Sequence, residues 1–138
     1  MLDHIFSTEA FLVLKNGIGA SAQRHEVIAN NIANVNTPGF KKSKVTFEGE
    51  LKTALKSSKS SSLAHTNSRH ISGSVKSTTS VLPKKVLVGG TSMTLNGNNV
   101  DVDEEMTELA KNTIYYNTLN ELMKRKFDGL KLASRGGG

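Results

Sequence analysis

The chain has 138 residues, 36% of them apolar and 5% aromatic, with no Trp, no Cys and a formal net charge of +6. That length suits one domain or one extended unit, and the apolar fraction is lean for a core closed on itself. The missing Cys excludes a disulfide framework, a thiolate nucleophile and a Cys-based zinc site. The charge belongs to the middle, since residues 41–85 carry ten Lys/Arg against Glu48 and Glu50, whereas the remainder has eight basic and ten acidic residues. A nucleic-acid surface needs such a patch on a scaffold with aromatics or a groove-entering helix. Here Phe47, with Phe40 just before the segment, is its only aromatic among many serines, so it reads as a solvated segment.

Met1-Leu2-Asp3-His4-Ile5-Phe6 has no basic region and no long apolar run, which is not the pattern of a cleaved signal peptide. No stretch approaches the roughly 18 apolar residues of a membrane span, so no direct membrane insertion is expected.

Residues 8–35 predict a long helix. Leu14, Ile18, Ser21, His25, Ile28, Ile32 and Val35 recur at alternating spacings of four and three, the pattern of a helix–helix seam. Gly17 and Gly19 each cost roughly 1 kcal/mol inside a helix, and point to close backbone approach, a bend or late ordering of the first turns. The helix ends rich in asparagine, at Asn30, Asn31, Asn34 and Asn36. Asparagine is a mediocre helix former because its amide competes for backbone hydrogen bonds. Its amides suit a helix end, a turn or a neighbouring chain. Thr37 precedes Pro38 and is biased away from helical angles. Thr37-Pro38-Gly39-Phe40 then fits a type II turn.

Val45, Phe47, Leu51 and Leu55 fit a strand followed by a short helix. Residues 56–80 hold ten Ser and three Thr, too little apolar surface to offset the entropy of ordering. Residues 81–95 predict a short edge-type strand, since Pro83 interrupts the apolar pairs. Asn96-Gly97 signals a tight turn.

A second helix starts at Asp101, with Glu104 at the spacing of an acidic capping box. Asp101, Asp103, Glu104, Glu105 and Glu108 crowd its start, and Lys124, Arg125, Lys126, Lys131 and Arg135 its end, which complements the helix dipole. Its seam is Val102, Met106, Leu109, Thr113, Tyr116, Asn120, Met123, Phe127 and Leu130. Ile114, Leu119 and Leu122 widen the stripe.

The expected fold is mainly α: two long terminal helices paired as an antiparallel hairpin or coiled coil around an irregular middle with short β-strands. Residues 1–40, 41–100 and 101–138 form its three parts within one structural unit. Two helices cannot enclose a core, and the middle is too polar to cover both stripes, so oligomerisation is the physical inference.

No constellation supports catalysis, a metal or a cofactor. His25-Glu26 lacks the second His that a zinc protease helix requires, because position 29 is Ala. His65 and His70 have no obvious third ligand. The acids after Asp101 lack the glycine and spacing of a calcium loop. Gly17-Ile18-Gly19 lacks the Lys-Ser/Thr of a phosphate loop, and no Gly-x-Ser-x-Gly elbow occurs. Tyr115, Tyr116, Met106 and Met123 read as packing residues.

Asn31-Ile32-Ala33-Asn34, then Thr37, Gly39 and Phe40, resemble the N-terminal signature of the bacterial flagellar rod and hook proteins, and Asn30 and Pro38 lie within that stretch. Gly97-Asn98-Asn99-Val100-Asp101, Leu109-Ala110-Lys111-Asn112, Tyr115-Tyr116 and Thr66-Asn67-Ser68-Arg69-His70-Ile71 resemble the short proximal-rod members. The Ser/Lys-rich run at 56–62 aligns with nothing specific to the family. The resemblance implies a structural subunit of the basal-body rod that stacks helically, its terminal helices lining a central export channel. Residues 30–40 would form a junction between subunits. Implied partners are further copies, other rod subunits, the rod-to-membrane-ring adaptor and the flagellar type III export apparatus. A helical adaptor or export chaperone, binding one partner transiently, is the alternative.

Overall fold

A computed structural model describes residues 9–59, 81–90 and 95–136. The chain order is α1 (Glu9–Ala33), β1 (Ser43–Thr46), α2 (Glu48–Lys59), β2 (Lys84–Leu87) and α3 (Val102–Ser134). The protein is mainly helical, with two long helices at its ends and a small sheet between them in sequence. The serine-rich run from 60 to 80, with His65, His70 and the Thr66–Ile71 stretch, lies outside the described residues, as do residues 1–8.

Helices α1 and α3 run side by side in opposite directions. Phe11 meets Phe127 edge to face, with ring centroids 5.7 Å apart. Further along, Gly17 approaches Leu119, Ser21 bonds to Asn112 and Asn31 bonds to Glu105. As one residue number rises the other falls. Gly17 leaves room for a side chain of α3, since a Cβ there would sit 3.2 Å from Leu119 Cδ1. At Gly19 such a Cβ would meet nothing within 4 Å. The close approach expected of the glycine pair therefore belongs to Gly17.

Strands β1 and β2 pair antiparallel, with Ser43 opposite Leu87 and Thr46 opposite Lys84. Along β1, Ser43 and Val45 are buried while Lys44 and Thr46 are exposed, the period of two that a half-buried strand requires. All four residues of β2 are exposed, as an edge strand beside Pro83 allows. Between the strands lies a twelve-residue helix, α2, directly after β1, the strand-then-short-helix order that Val45, Phe47, Leu51 and Leu55 fit. Leu51, Ala54 and Leu55 stand at helical spacing in it. A small core of Ala20, Phe47, Ala54 and Val81, with Leu51 packed on it, joins α1 to α2 and to the chain entering β2.

The turn after α1 has the expected form. Gly39 has φ 72°, and the Phe40 amide donates to the Thr37 carbonyl at 3.3 Å. Gly97 also has positive φ, at 82°. The two turns touch, since the Gly39 amide donates to the Asn96 carbonyl at 2.9 Å. Asp101 caps α3 by accepting from the Asp103 and Glu104 amides at 2.9 and 3.3 Å. Glu104 does not close a reciprocal capping box, because its carboxylate bonds to Lys42 instead.

Candidate functional site

Three asparagines tie the end of α1, the sheet and the start of α3 together, and a fourth joins the two long helices further along. Asn31 is 1% exposed. Its amide nitrogen donates to the Ser43 carbonyl and to Glu105 Oε2, both at 2.9 Å, and its oxygen accepts from the Ser43 amide at 3.0 Å. Lys42 and Leu87 to Val88 show why Ser43 is free for this. The Val88 amide donates to the Lys42 carbonyl, so the alternation of an antiparallel ladder turns the Ser43 backbone groups away from β2. The Asn31 side chain takes the place of a third strand.

Asn98, also 1% exposed, holds the other side of the junction. Its amide nitrogen donates to the carbonyls of Asn34, Val35 and Thr37 at 2.9, 2.8 and 2.9 Å. Those carbonyls lie just past the end of α1, where the helix leaves acceptors without intrahelical donors. Asn99 bridges the sheet, accepting from the Lys42 amide at 2.7 Å and donating to the Val88 carbonyl at 2.8 Å. Asn112 bonds twice to Ser21, through its Oδ1 and its amide nitrogen, both at 2.9 Å.

Lys42 departs from the solvated reading of the basic middle, for it is buried. Its ammonium bonds to Glu104 and lies 3.9 Å from Glu105. The hydrogen bond from Lys42 holds the Glu104 carboxyl below the usual carboxylate range, against a smaller opposing effect of desolvation. A buried cation needs such partners.

The predicted junction residues divide. Asn31 is buried and bonded within the chain. Asn34 donates to the Asn30 carbonyl at 2.8 Å and accepts from the Thr37 hydroxyl at 3.2 Å, a local helix-end arrangement. Asn30, Ala33, Asn36, Thr37, Pro38 and Gly39 are exposed, while Ile32, Val35 and Phe40 are half-buried. The predicted stripes divide too. Ile28 is buried, Leu14, Ile18, Leu109, Met123 and Leu130 are half-buried, and Val102, Met106, Tyr116 and Phe127 are exposed. On α3 the buried positions are Glu105, Asn112 and Leu119, seven residues apart. They lie one place before Met106, Thr113 and Asn120 of the predicted stripe. The face that meets α1 is thus rotated towards polar residues, and the apolar stripe lies beside it with Met106 at 52% exposure.

Asn98, Asn99 and Asn112 carry as much of this network as Asn31, and periodicity gives no sign of them. Gly97-Asn98-Asn99 as a cluster of turn residues was the available signal. Among the described residues there is no group of three His, Cys, Asp or Glu placed to hold a metal, and no helix is long and apolar enough to cross a membrane.

Residues 11–41 match the family model described as flagella basal body rod protein. The chain is 42% identical to the flagellar basal body rod protein FlgB of Bacillus subtilis, over 90% of this chain and 92% of that protein. It is 38% identical to FlgB of Borreliella burgdorferi, over 79% of this chain and 83% of the relative. Against FlgB of Salmonella typhimurium the identity is 30%, over 99% of each.

Proposed function

Because the chain belongs to the FlgB family of flagellar basal body rod proteins, we infer that its two long helices carry out its structural role in the proximal rod. It is a structural subunit of the flagellar basal body rod, working with other rod components, and not an enzyme. The observation that supports assembly through the helices is the apolar surface left outside the hairpin. Met106, Ile114, Tyr116, Leu122 and Leu132 are all exposed on α3. Large apolar patches on a folded chain mark interaction sites.

In this reading α1 and α3 continue into a coiled-coil pair whose uncovered stripes meet neighbouring subunits around a central channel. The exposed turn at Asn36, Thr37, Pro38 and Gly39 adds a second junction at the end of the hairpin. The internal asparagine network keeps that turn in one shape. The rod-to-membrane-ring adaptor and the type III export apparatus are the further partners we propose.

Stoichiometry tests the reading. An epitope-tagged chain is expected in several copies in purified basal bodies, and its deletion should leave basal bodies without a rod. Recovery solely as a soluble one-to-one complex would instead identify a chaperone or adaptor.

A further inference from the structure

Helix α3 carries a knob and the hairpin carries a notch at the same height, on different sides. The notch is a groove of about 320 Å³ lined by Ser21, Ala22, His25, Asn112, Thr113 and Tyr116. The knob is Ile114, 69% exposed. At 3.6 residues per turn Ile114 lies about 160° round α3 from Tyr116. It is equally far from Asn112, which touches α1.

The charges follow the same geometry. Glu121, seven residues after Ile114, shares its face two turns nearer the free end of the hairpin. Its carboxylate is mostly exposed, with a loose contact of 3.6 Å to Arg125. On the notch side Lys15 stands seven residues before Ala22 on α1, and Lys124 eleven residues after Thr113 on α3. Both are exposed, and both are displaced from the notch towards that same free end. One copy's Ile114 and Glu121 therefore match another copy's notch and lysine pair without any shift along the hairpin axis.

Taking the chain as a rod subunit, we propose that adjacent copies pack side by side at one axial level, Ile114 of one copy seated in the Ala22/His25/Thr113/Tyr116 notch of the next. Glu121 then faces Lys15 and Lys124 of that neighbour. The contact joins two different faces, so it is heterologous and repeats around an axis instead of closing on a pair. With no axial shift per copy, the product is a ring or a shallow helical turn with the hairpins parallel to its axis. The seated isoleucine covers apolar groove surface, and the rim charges set register and orientation more than affinity.

The chain has no cysteine, so a double variant, Ile114→Cys with Ala22→Cys, reports this contact. Ile114 faces away from α1, so the pair does not close within one chain, where a disulfide needs Cα atoms within about 7 Å. Oxidation of basal bodies containing the double variant should give a ladder of dimers, trimers and higher species, and either single variant should stay monomeric. The proposal is overturned if incorporated double variant gives no ladder, if Ile114→Cys alone gives a dimer, or if the disulfide forms with a different protein. A charge exchange gives a second readout. Glu121→Lys should reduce motility at least tenfold, and adding Lys15→Glu with Lys124→Glu should restore it; normal swimming of Glu121→Lys, or no rescue, counts against the contact. Basal bodies that lack even the wild-type chain would overturn the rod reading itself, a result distinct from an incorporated chain that fails to cross-link.

Discussion

Asn31 pairs with Ser43 as one strand residue pairs with another, donating to its carbonyl at 2.9 Å and accepting from its amide at 3.0 Å. The second amide hydrogen goes to Glu105 on α3, so one side chain joins α1, β1 and α3. Asn31→Leu removes all three bonds inside a closed site. Each buried group left unpaired costs roughly 1–3 kcal/mol, and the expected result is a large loss of stability in chemical denaturation. Asn31→Asp should be no better, because a carboxylate accepts from the Ser43 amide but repels both its carbonyl and Glu105.

Asn98 acts on the same junction from the other side. Asn98→Ala removes the donor shared by the carbonyls of Asn34, Val35 and Thr37, of which those of Asn34 and Thr37 keep the Thr37 and Phe40 amides. The loss should be about 1–3 kcal/mol by the same reasoning, and localised. Amide hydrogen exchange should quicken at the end of α1 and in the turn up to Phe40, and stay near wild type in the middle of α3.

The end of α1, the turn after it and the start of α3 were legible because each has a local chemical cause. The helix expected at 8–35 is observed as Glu9–Ala33, the turn falls on Pro38-Gly39, and Asp101 caps α3. What periodicity could not reveal is which face of each helix meets the other. A hydrophobic pattern points to the largest apolar stripe, whereas the pair is joined through Ser21, Asn31, Glu105 and Asn112 beside it. Their bonds span 91 residues in sequence for Ser21 and Asn112 and 74 for Asn31 and Glu105. Complementarity of that kind exists only once the chain is folded. Buried Lys42 was hidden for the same reason, since its partners Glu104 and Glu105 lie on another element.

Gly17 on α1 lies against the Leu119 side chain of α3. Gly17→Ala adds roughly 1 kcal/mol of helix propensity, and its methyl would lie 3.2 Å from the movable tip of Leu119. The two effects oppose, so stability should stay within about 1 kcal/mol of wild type. Gly17→Val adds bulk that Leu119 cannot clear, and overpacking of this kind costs roughly 1–3 kcal/mol. Adding Leu119→Ala to Gly17→Val should recover part of that loss, a coupling that a thermodynamic cycle measures.

The Lys42–Glu104 pair gives the start of α3 a dependence on pH. Glu104 is held below its ordinary value chiefly by the hydrogen bond from Lys42. A carboxyl depressed in the folded state contributes stability above its unfolded value and loses it as pH falls through its folded value. The stability difference between wild type and Glu104→Gln should therefore be constant near neutrality and shrink in the acid range below the usual carboxylate value. The Glu104 side chain is 44% exposed, so solvent and salt weaken the pair, and the difference should also narrow at high ionic strength.

Met106 separates folding from assembly. It belongs to the apolar stripe of α3, yet 52% of it is exposed, one residue beyond buried Glu105. A surface substitution there should change the stability of the isolated chain by no more than about 0.5 kcal/mol. Met106→Ser is expected to melt like wild type in solution and to be incorporated poorly into basal bodies, with motility reduced accordingly. The same substitution at buried Leu119 should act in the opposite order, since that side chain packs on Gly17 inside the hairpin. There the melt falls first, by roughly 2–5 kcal/mol for a buried leucine cut back to a small side chain, and incorporation fails because little folded hairpin remains. If Met106→Ser unfolded the isolated chain while wild-type motility persisted, the stripe would serve the fold and not the contact between subunits.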